Sequence, residues 1–371
     1  MLVGEMTGPV LFASYSGLLG GAERALLDCA TRLPRPAVVA CPQGPLAEAV
    51  RAAGLRHAEI AGGTLRLRPA ETQRDAAAAA AGDDVIGGLS TTAALKAAYA
   101  AARHAAGIAR ATWSVGGLLH RHRPDAFVAW GSRAVLAGAA IPRRPPTVAV
   151  LHDIHRGPVR TAVRTAAKRA DGIVAASHAV ADGLDATILH PGVDLRAFTP
   201  VPLPGGPPKA LYLGALVAWK RPDLAIEIAR RMPELELTLA GVPIERDLAL
   251  PHADNVRLAG HVDARAALAD AHVLLHCADE EPWGLALLEA LACGRPVVAP
   301  AAGGPLEIVT EGAGRLYPPG DADAAVAALR AVLADPAAPA AARRRAEEFD
   351  VDASAARMTA AIEAAIAGAR R

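Results

Sequence analysis

The sequence predicts an α/β protein of two similar units, each a doubly wound parallel sheet covered by helices. Three observations carry this expectation. Short apolar runs bounded by Gly or Pro alternate with longer segments of helical period, the pattern of strands buried on both faces between helices. The pattern occurs twice, on either side of a Pro- and Gly-rich stretch at residues 199–208. Finally, 371 residues exceed the size at which a single hydrophobic core stops growing.

In the first half, Val10–Ser14, Ala37–Ala40, Ala126–Trp130, Thr147–Leu151 and Gly172–Ala176 read as strands. Between the first two, Leu26, Leu27, Ala30 and Leu33 fall on one stripe of a helix starting near Gly21, which makes a βαβ unit. Five prolines and two glycines between Thr199 and Pro208 disfavour both helix and central strand, so the linker is placed there. Downstream, Ala210–Leu213, Glu236–Ala240, Asn255–Ala259, Val273–His276 and Pro296–Ala299 read as strands, with helices after Pro222, around 264–271, and from about Trp283 to Cys293. The expected domains are 1–198 and 209–345, followed by 346–371, whose Ala-rich helix at 352–369 is expected to pack across the domain junction. Residues 62–120 interrupt the pattern. Their helix-prone stretches, Ala76–Ala81 and Ala93–Ala106, lack a clear apolar stripe and read as an insertion or a lid.

The 39 basic and 38 acidic residues leave a net charge of +1, too little to draw nucleic acid to the surface as a whole. Specificity must come from a site. Lysine occurs only at Lys96, Lys168, Lys209 and Lys220, so a lysine beside a Gly-bearing strand end is informative. Cys29, Cys41, Cys277 and Cys293 form no CxxC pair and no zinc spacing, which fits a reducing compartment. No window reaches the roughly 18 uninterrupted apolar residues of a membrane span, and no secretory leader opens the chain, so a soluble cytoplasmic protein is expected. The Arg-rich stretch 156–169 reads either as a solvated helix face or as a peripheral contact with anionic lipid at the inner membrane face.

The segment from His276 to Gly294 runs from a strand through an acidic loop into a helix, with Pro282 suited to the helix start and Gly294 to its end. With Gly284 in the first turn, unpaired N–H groups and the helix dipole face the C-terminal end of the strand, where open α/β sheets bind ligands and where a phosphate is favoured. Glu281 and Glu289, eight residues apart, would lie roughly 12 Å apart along a helix and about 80° around it. Both can accept hydrogen bonds from sugar hydroxyls. An acidic helix start that merely favours the dipole would need no ligand. The flanking Gly294-Arg295-Pro296 and Gly303-Gly304-Pro305 stretches weigh toward a ligand site.

This segment resembles the Glu-x7-Glu motif of family 4 glycosyltransferases, also called glycosyl transferases group 1, and the two Gly motifs continue that pattern. The resemblance implies a GT-B fold, two Rossmann-like domains facing across a cleft, with a nucleotide-sugar donor as substrate and no required cofactor or metal. It assigns the donor sugar to Glu281, the phosphate to backbone amides at Gly284 and Leu285, and the nucleotide ribose to Glu289. Leu211–Pro222 is similar to the family's diphosphate-binding stretch, with Lys220 at the lysine position. Ala215 stands where the family has Arg, and Arg221 either compensates or is a surface charge before a Pro-started helix. A cation there would meet the negative charge that gathers on the leaving nucleoside diphosphate.

Gly17-Leu18-Leu19-Gly20-Gly21-Ala22-Glu23-Arg24 follows the first strand and resembles the family's Gly-Gly-x-Glu-Arg loop, which brings Gly20 and Gly21 close to a bound group; a tight turn is the plainer reading. The loop lacks GxGxxG spacing and no acidic residue ends the second strand, which argues against a dinucleotide oxidoreductase. His152-Asp153 resembles the His-Asp that the family places opposite the donor sugar, making His152 the catalytic candidate; the rivals are a metal ligand with Asp153 and His155, or a loop histidine without a role. Ser177 is expected to cap a helix and Gly192 to serve a turn. The pairs Asp321/Asp323 and Asp350/Asp352 sit at helix starts and do not look like a metal-binding pair. No Walker A or GxSxG sequence is present.

The expected function is retaining transfer of a hexose-type sugar from a UDP- or GDP-sugar to a glycan, lipid or small-molecule acceptor. Domain closure would exclude water from the reaction. The rivals are a nucleotide-sugar epimerase or hydrolase, and a two-domain binding protein without chemistry.

Overall fold

The computed structural model describes residues 8–60, 91–245 and 248–370, with 91–105 described by backbone alone. The chain forms two compact units. Met1–Leu151, Arg156–Ile173 and Thr359–Arg371 make the first, and His152–His155 with Val174–Met358 make the second.

The first unit begins with β1 (Val10–Ala13), α1 (Gly21–Arg32), β2 (Ala37–Cys41), α2 (Pro45–Ala52) and β3 (Arg56–Glu59). α3 (Thr91–His122), β4 (Ala126–Trp130), α4 (Ser132–Ala139), β5 (Thr147–Leu151) and α5 (Gly157–Ala167) follow; the chain then passes into the second unit within β6 (Gly172–Ala175), ahead of α6 (His178–Ala181) and β7 (Thr187–Ile188). The seven strands form one sheet in the order β3-β2-β1-β4-β5-β6-β7. β1 pairs in parallel with both β2 and β4, and β4 with β5. Every residue of β1, β2, β4 and β5 is buried, which is why these strands read as continuous apolar runs rather than as alternation. α1 turns Ala25, Leu26, Cys29 and Ala30 inward, close to the predicted stripe.

The helix-prone stretch 93–106 belongs to α3, a single helix whose second half buries Ala111, Val115, Leu118 and Leu119. The Tyr15 hydroxyl donates to the Ala111 carbonyl at 2.8 Å, tying α3 to the loop after β1. The stretch 76–81 lies outside the described residues.

The second unit carries β8 (Lys209–Leu213), α7 (Pro222–Arg230), β9 (Glu236–Ala240), β10 (Val256–Gly260), α8 (Ala264–Ala269), β11 (Val273–Leu275) and α9 (Leu285–Ala292). β12 (Val297–Pro300), α10 (Pro305–Ile308), β13 (Gly314–Tyr317), α11 (Ala322–Leu333), α12 (Ala338–Glu347) and α13 (Val351–Ala369) complete it. Its six-stranded sheet has the order β10-β9-β8-β11-β12-β13. The pairs of β8 with β9 and β11, and of β12 with β11 and β13, are parallel. Residues 199–208 hold neither helix nor strand. The division between the units also falls inside α13, at Met358 and Thr359.

Both sheets are doubly wound. Strand order reverses direction between β1 and β4 in the first and between β8 and β11 in the second, and such a reversal opens a crevice at the C-terminal ends of the two strands.

A candidate donor site at the second switch point

The chain leaves β8 through Gly214, with φ of 154°, and runs through Ala215 into a 3-10 turn at Ala218–Lys220. Gly241 packs directly on the Gly214 carbonyl, where a methyl group would overlap the oxygen. The Tyr212 hydroxyl bonds the carbonyls of Ala215 and Lys220, each at 3.3 Å. Backbone and side chain together thus fix the turn that presents Lys220. Arg221 then takes a left-handed conformation, φ 52°, and Pro222 opens α7.

Leaving β11, the chain passes through buried His276, Cys277 and Ala278 into the acidic loop. The Asp279 N–H donates to the Trp219 carbonyl at 3.1 Å, which joins this loop to the turn after β8. Glu281 pairs as a single bridge with Gly303, and the Gly304 N–H donates to the Glu281 carbonyl at 2.7 Å. Gly303 has φ of 64°, and side chains at Gly303 or Gly304 would overlap the carbonyls of Glu281 or Trp283. The Gly303-Gly304 motif therefore shapes the Glu281 loop by close backbone approach.

The far side of the loop is braced by residues that precede β8. The Ser177 hydroxyl donates to the Pro282 carbonyl at 2.7 Å and caps α6 by accepting from the Val180 N–H, the expected cap with a second duty. Trp283 stacks on His190 at 4.4 Å and donates its indole N–H to the Pro191 carbonyl at 2.9 Å. His190 lies 2.9 Å from a Glu307 carboxylate oxygen, whose partner oxygen accepts the His178 N–H at 2.8 Å.

The helix expected from about Trp283 begins at Leu285, because Gly284 has φ of 111°, outside any helical range. Pro282 consequently precedes the helix instead of opening it, and Glu281 and Glu289 do not share one helix. Glu281 stands in the loop, while Glu289 sits one turn into α9 and is 4% exposed. The end of α9 follows expectation. Gly294, φ 71°, donates to Leu291 and the Arg295 N–H to Ala290, the paired bonds of a left-handed glycine stop. Arg295 itself is 1% exposed and donates to the carbonyls of Leu268, Val201 and Pro202, so it holds residues 201–202 against α8.

At the centre, Lys220 Nζ donates to Glu281 Oε2 at 2.9 Å and lies 4.7 Å over the Trp219 ring. His276 Nε2 lies 3.4 Å from the same oxygen without a hydrogen bond. Burial alone would raise the Glu281 carboxyl, but the Lys220 charge, His276 and the Trp283 N–H outweigh it and hold the group below its ordinary value. Burial pushes His276 down to about 4, with Lys220 adding to the shift and Glu281 opposing it. The site at neutral pH is an ammonium–carboxylate pair beside a neutral imidazole. Arg221 faces two carboxylates, donating to Asp223 at 3.0 Å and to Asp279 at 3.1 Å, and these bonds raise its pKa.

Lys220 and Glu281 are thus in contact across the β8–β11 crevice, with Gly284, Leu285 and Glu289 following Glu281 along the chain. Gly20 and Gly21 lie in the first unit, where Gly20 precedes α1 and donates its N–H to Glu23 at 3.0 Å, and the Trp130 indole N–H donates to the Ala22 carbonyl at 3.0 Å. They flank that unit's own switch point. His152 follows β5, its Nδ1 3.5 Å from Asp153. The nearby His155 is lowered by burial, with Asp153 opposing. Asp321 caps α11 through the Ala324 N–H, and Asp350 accepts from the N–H groups of Asp352 and Ala353, so both aspartates do helix-start work. His276 is the site residue that sequence reasoning left without a role; its signal is a titratable side chain ending the apolar run Val273–Leu275, five residues before Glu281.

The family described as "Glycosyl transferases group 1" matches residues 196–349, a span that contains the whole Lys220–Glu281–Glu289 region. Among curated proteins, the chain is 34% identical over 221 residues to a D-inositol 3-phosphate glycosyltransferase of Kineococcus radiotolerans, covering 47% of this chain and 51% of that one. It is 33% identical over 190 residues to one of Mycobacterium avium, covering 45% of each. The chain thus spans about half the length of the curated relatives it matches. Among solved structures, Anabaena Alr3699/HepE in complex with UDP-glucose aligns with TM-score 0.72 at 21% identity, over 96% of this chain and 99% of that one. Sucrose-phosphate synthase from Thermosynechococcus elongatus aligns with TM-score 0.73 at 18% identity, over 95% and 97%. The two parallel-sheet α/β units are the GT-B fold of these glycosyltransferase structures.

Proposed function

We propose that the chain is a glycosyltransferase that moves a hexose-type sugar from a UDP- or GDP-sugar to an acceptor hydroxyl, with retention of configuration and without a metal. The observation that carries the proposal is the 2.9 Å contact between Lys220 and Glu281 at the β8–β11 switch point, within the region similar to group 1 glycosyl transferases. An ammonium and a carboxylate held side by side suit a ligand that is anionic on one side and hydroxyl-rich on the other. Glu281 accepts hydrogen bonds from the sugar hydroxyls. Lys220 and the backbone N–H groups of Gly284 and Leu285, at the start of α9, bind the diphosphate, and Glu289 takes the ribose. As the sugar–phosphate bond breaks, charge gathers on the leaving diphosphate, where a fixed cation and helix-end amides lower the barrier. The leaving phosphate takes the acceptor's proton.

Since Asp223 and Asp279 already meet the charge of Arg221, the proposal assigns the phosphate cation to Lys220 and gives Arg221 the lesser share. The acceptor side is assigned to Gly20 and Gly21 of the first unit and to the catalytic candidate His152, which follows β5. The name carried by the curated relatives makes D-inositol 3-phosphate the first acceptor to test; other small molecules, glycans and lipid-linked acceptors follow. We place the protein in the cytoplasm, with the Arg-rich α5 region as its contact with the inner membrane face when the acceptor is a lipid.

The test is product analysis on wild type, Glu281→Gln and Lys220→Ala with nucleotide sugars and acceptors. Both variants should stay folded and lose most transfer, and near-normal turnover in both would sink the proposal. Donor turned over without transfer would favour an epimerase or hydrolase, and binding without nucleotide release a binding protein.

A further inference from the structure

His276 is 7% exposed, ends the apolar run of β11, and directs Nε2 to 3.4 Å from the Glu281 oxygen that Lys220 also holds. That nitrogen is buried and makes no hydrogen bond. A polar group left so costs free energy unless another state of the protein gives it a partner. The charged groups facing it are Glu281 and Lys220. If Lys220 turns its charge to a donor diphosphate, Glu281 loses its closest cation while remaining buried. The Trp283 N–H stays with the carboxylate, and His276 Nε2 is the further group near enough to replace the lysine.

We propose that His276 is a positioning residue for Glu281, its Nε2–H closing on Oε2 when Lys220 engages the donor phosphate. The inference rests on the donor-site reading above and names the group that keeps Glu281 aimed at the sugar hydroxyls while the lysine serves the phosphate. A neutral imidazole suits this role. It donates a hydrogen bond without adding a second cation beside Lys220, and so leaves the carboxylate able to accept from the sugar.

The experiment compares wild type, His276→Leu and His276→Gln, a substitution that keeps an N–H donor on a side chain of similar reach. Dissociation constants are measured for UDP and UDP-glucose and for GDP and GDP-mannose. His276→Leu should weaken binding of the accepted sugar nucleotide about tenfold, the loss expected for one hydrogen bond to a charged group, while its bare nucleoside diphosphate changes less than about twofold. His276→Gln should recover most of the difference. Equal weakening of both ligands, no weakening of either, or a glutamine variant no better than leucine would overturn the proposal. A second readout needs no substitution: in histidine-labelled wild type, the Nε2 resonance of His276 should move to a hydrogen-bonded donor position when the accepted sugar nucleotide is added, and a resonance that stays put would overturn the proposal. Wild type that binds none of the four nucleotides would instead defeat the donor-site reading on which the proposal stands.

Discussion

Replacing Lys220 by alanine isolates the electrostatics of the site. At 2.9 Å the Lys220–Glu281 pair attracts by about 6 kcal/mol at an effective dielectric of about 20, most of which offsets desolvation. The two losses are unequal because the side chains are 21% and 11% exposed. Removing the lysine strands a buried carboxylate, a change that costs about 3–5 kcal/mol in well-buried pairs. Here His276 and the Trp283 N–H remain beside Glu281, so the lower end applies, about 3 kcal/mol. Glu281→Gln leaves a lysine that can turn to water and should cost about 1 kcal/mol. With both changes no charge is stranded, so the double variant should lose about 2 kcal/mol, a coupling of about 2 kcal/mol. Since each kcal/mol moves the midpoint of a 150–250-residue domain by about 2–4 °C, Lys220→Ala should melt about 6–12 °C below wild type. Thermal unfolding of the four proteins is the assay. Losses that add within about 0.5 kcal/mol would refute the reasoning.

Three further outcomes follow from the same geometry. Gly303→Ala and Gly304→Ala place a methyl on the carbonyls of Glu281 and Trp283; each should destabilise the fold by about 2–4 kcal/mol by urea unfolding and reduce sugar transfer, whereas Gly183→Ala, at a similar φ with open space around it, should keep full transfer. Ser177→Ala removes both a helix cap and a bond to the Pro282 carbonyl and should cost about 1–3 kcal/mol in the same assay. His276 titrates at about 4 when folded and 6.5 ordinarily, so on acidification the unfolded chain takes the proton first. Stability should therefore fall by about 3 kcal/mol between pH 6.5 and pH 4, level off below, and return as pH rises. The lowered Glu281 carboxyl acts in the same sense at more acid pH, its stabilisation full above its ordinary value of 4.5 and lost as pH falls through the folded value. Urea midpoints at several pH values should show His276→Leu losing the first part of that slope, and a wild-type slope in the variant would contradict it.

What was legible in the sequence follows the physics of burial. β4 and β5 run where the apolar pattern puts them, because central parallel strands covered on both faces leave an unbroken apolar signal, and β9, Glu-Leu-Thr-Leu-Ala, keeps its expected bounds although its first residue is exposed. β3, β7 and β13 were missed. β3 is an edge strand of sequence Arg-His-Ala-Glu with one buried residue, and β7 is two residues long, so neither carries that signal. In the site, the Glu281 loop was found through residue types and spacing, but the start of α9 was placed too early. A glycine in a helical pattern does not reveal its φ, and the contact that frees Glu281–Trp283 from the helix comes from Gly303 and Gly304, some 20 residues away. His276 and the Trp283–His190 stack stayed hidden for a related reason: their partners are set by how strand ends meet, not by local period.

The central claim is that the β8–β11 switch point holds a nucleotide sugar between Lys220 and Glu281, and a crystal structure of the chain with its preferred sugar nucleotide tests it most directly. The account predicts diphosphate oxygens within about 3 Å of Lys220 Nζ and of the N–H groups at Gly284 and Leu285, with sugar hydroxyls on the Glu281 carboxylate. A nucleotide bound elsewhere, or one at this crevice with the Lys220–Glu281 pair intact and neither side chain touching it, would contradict it.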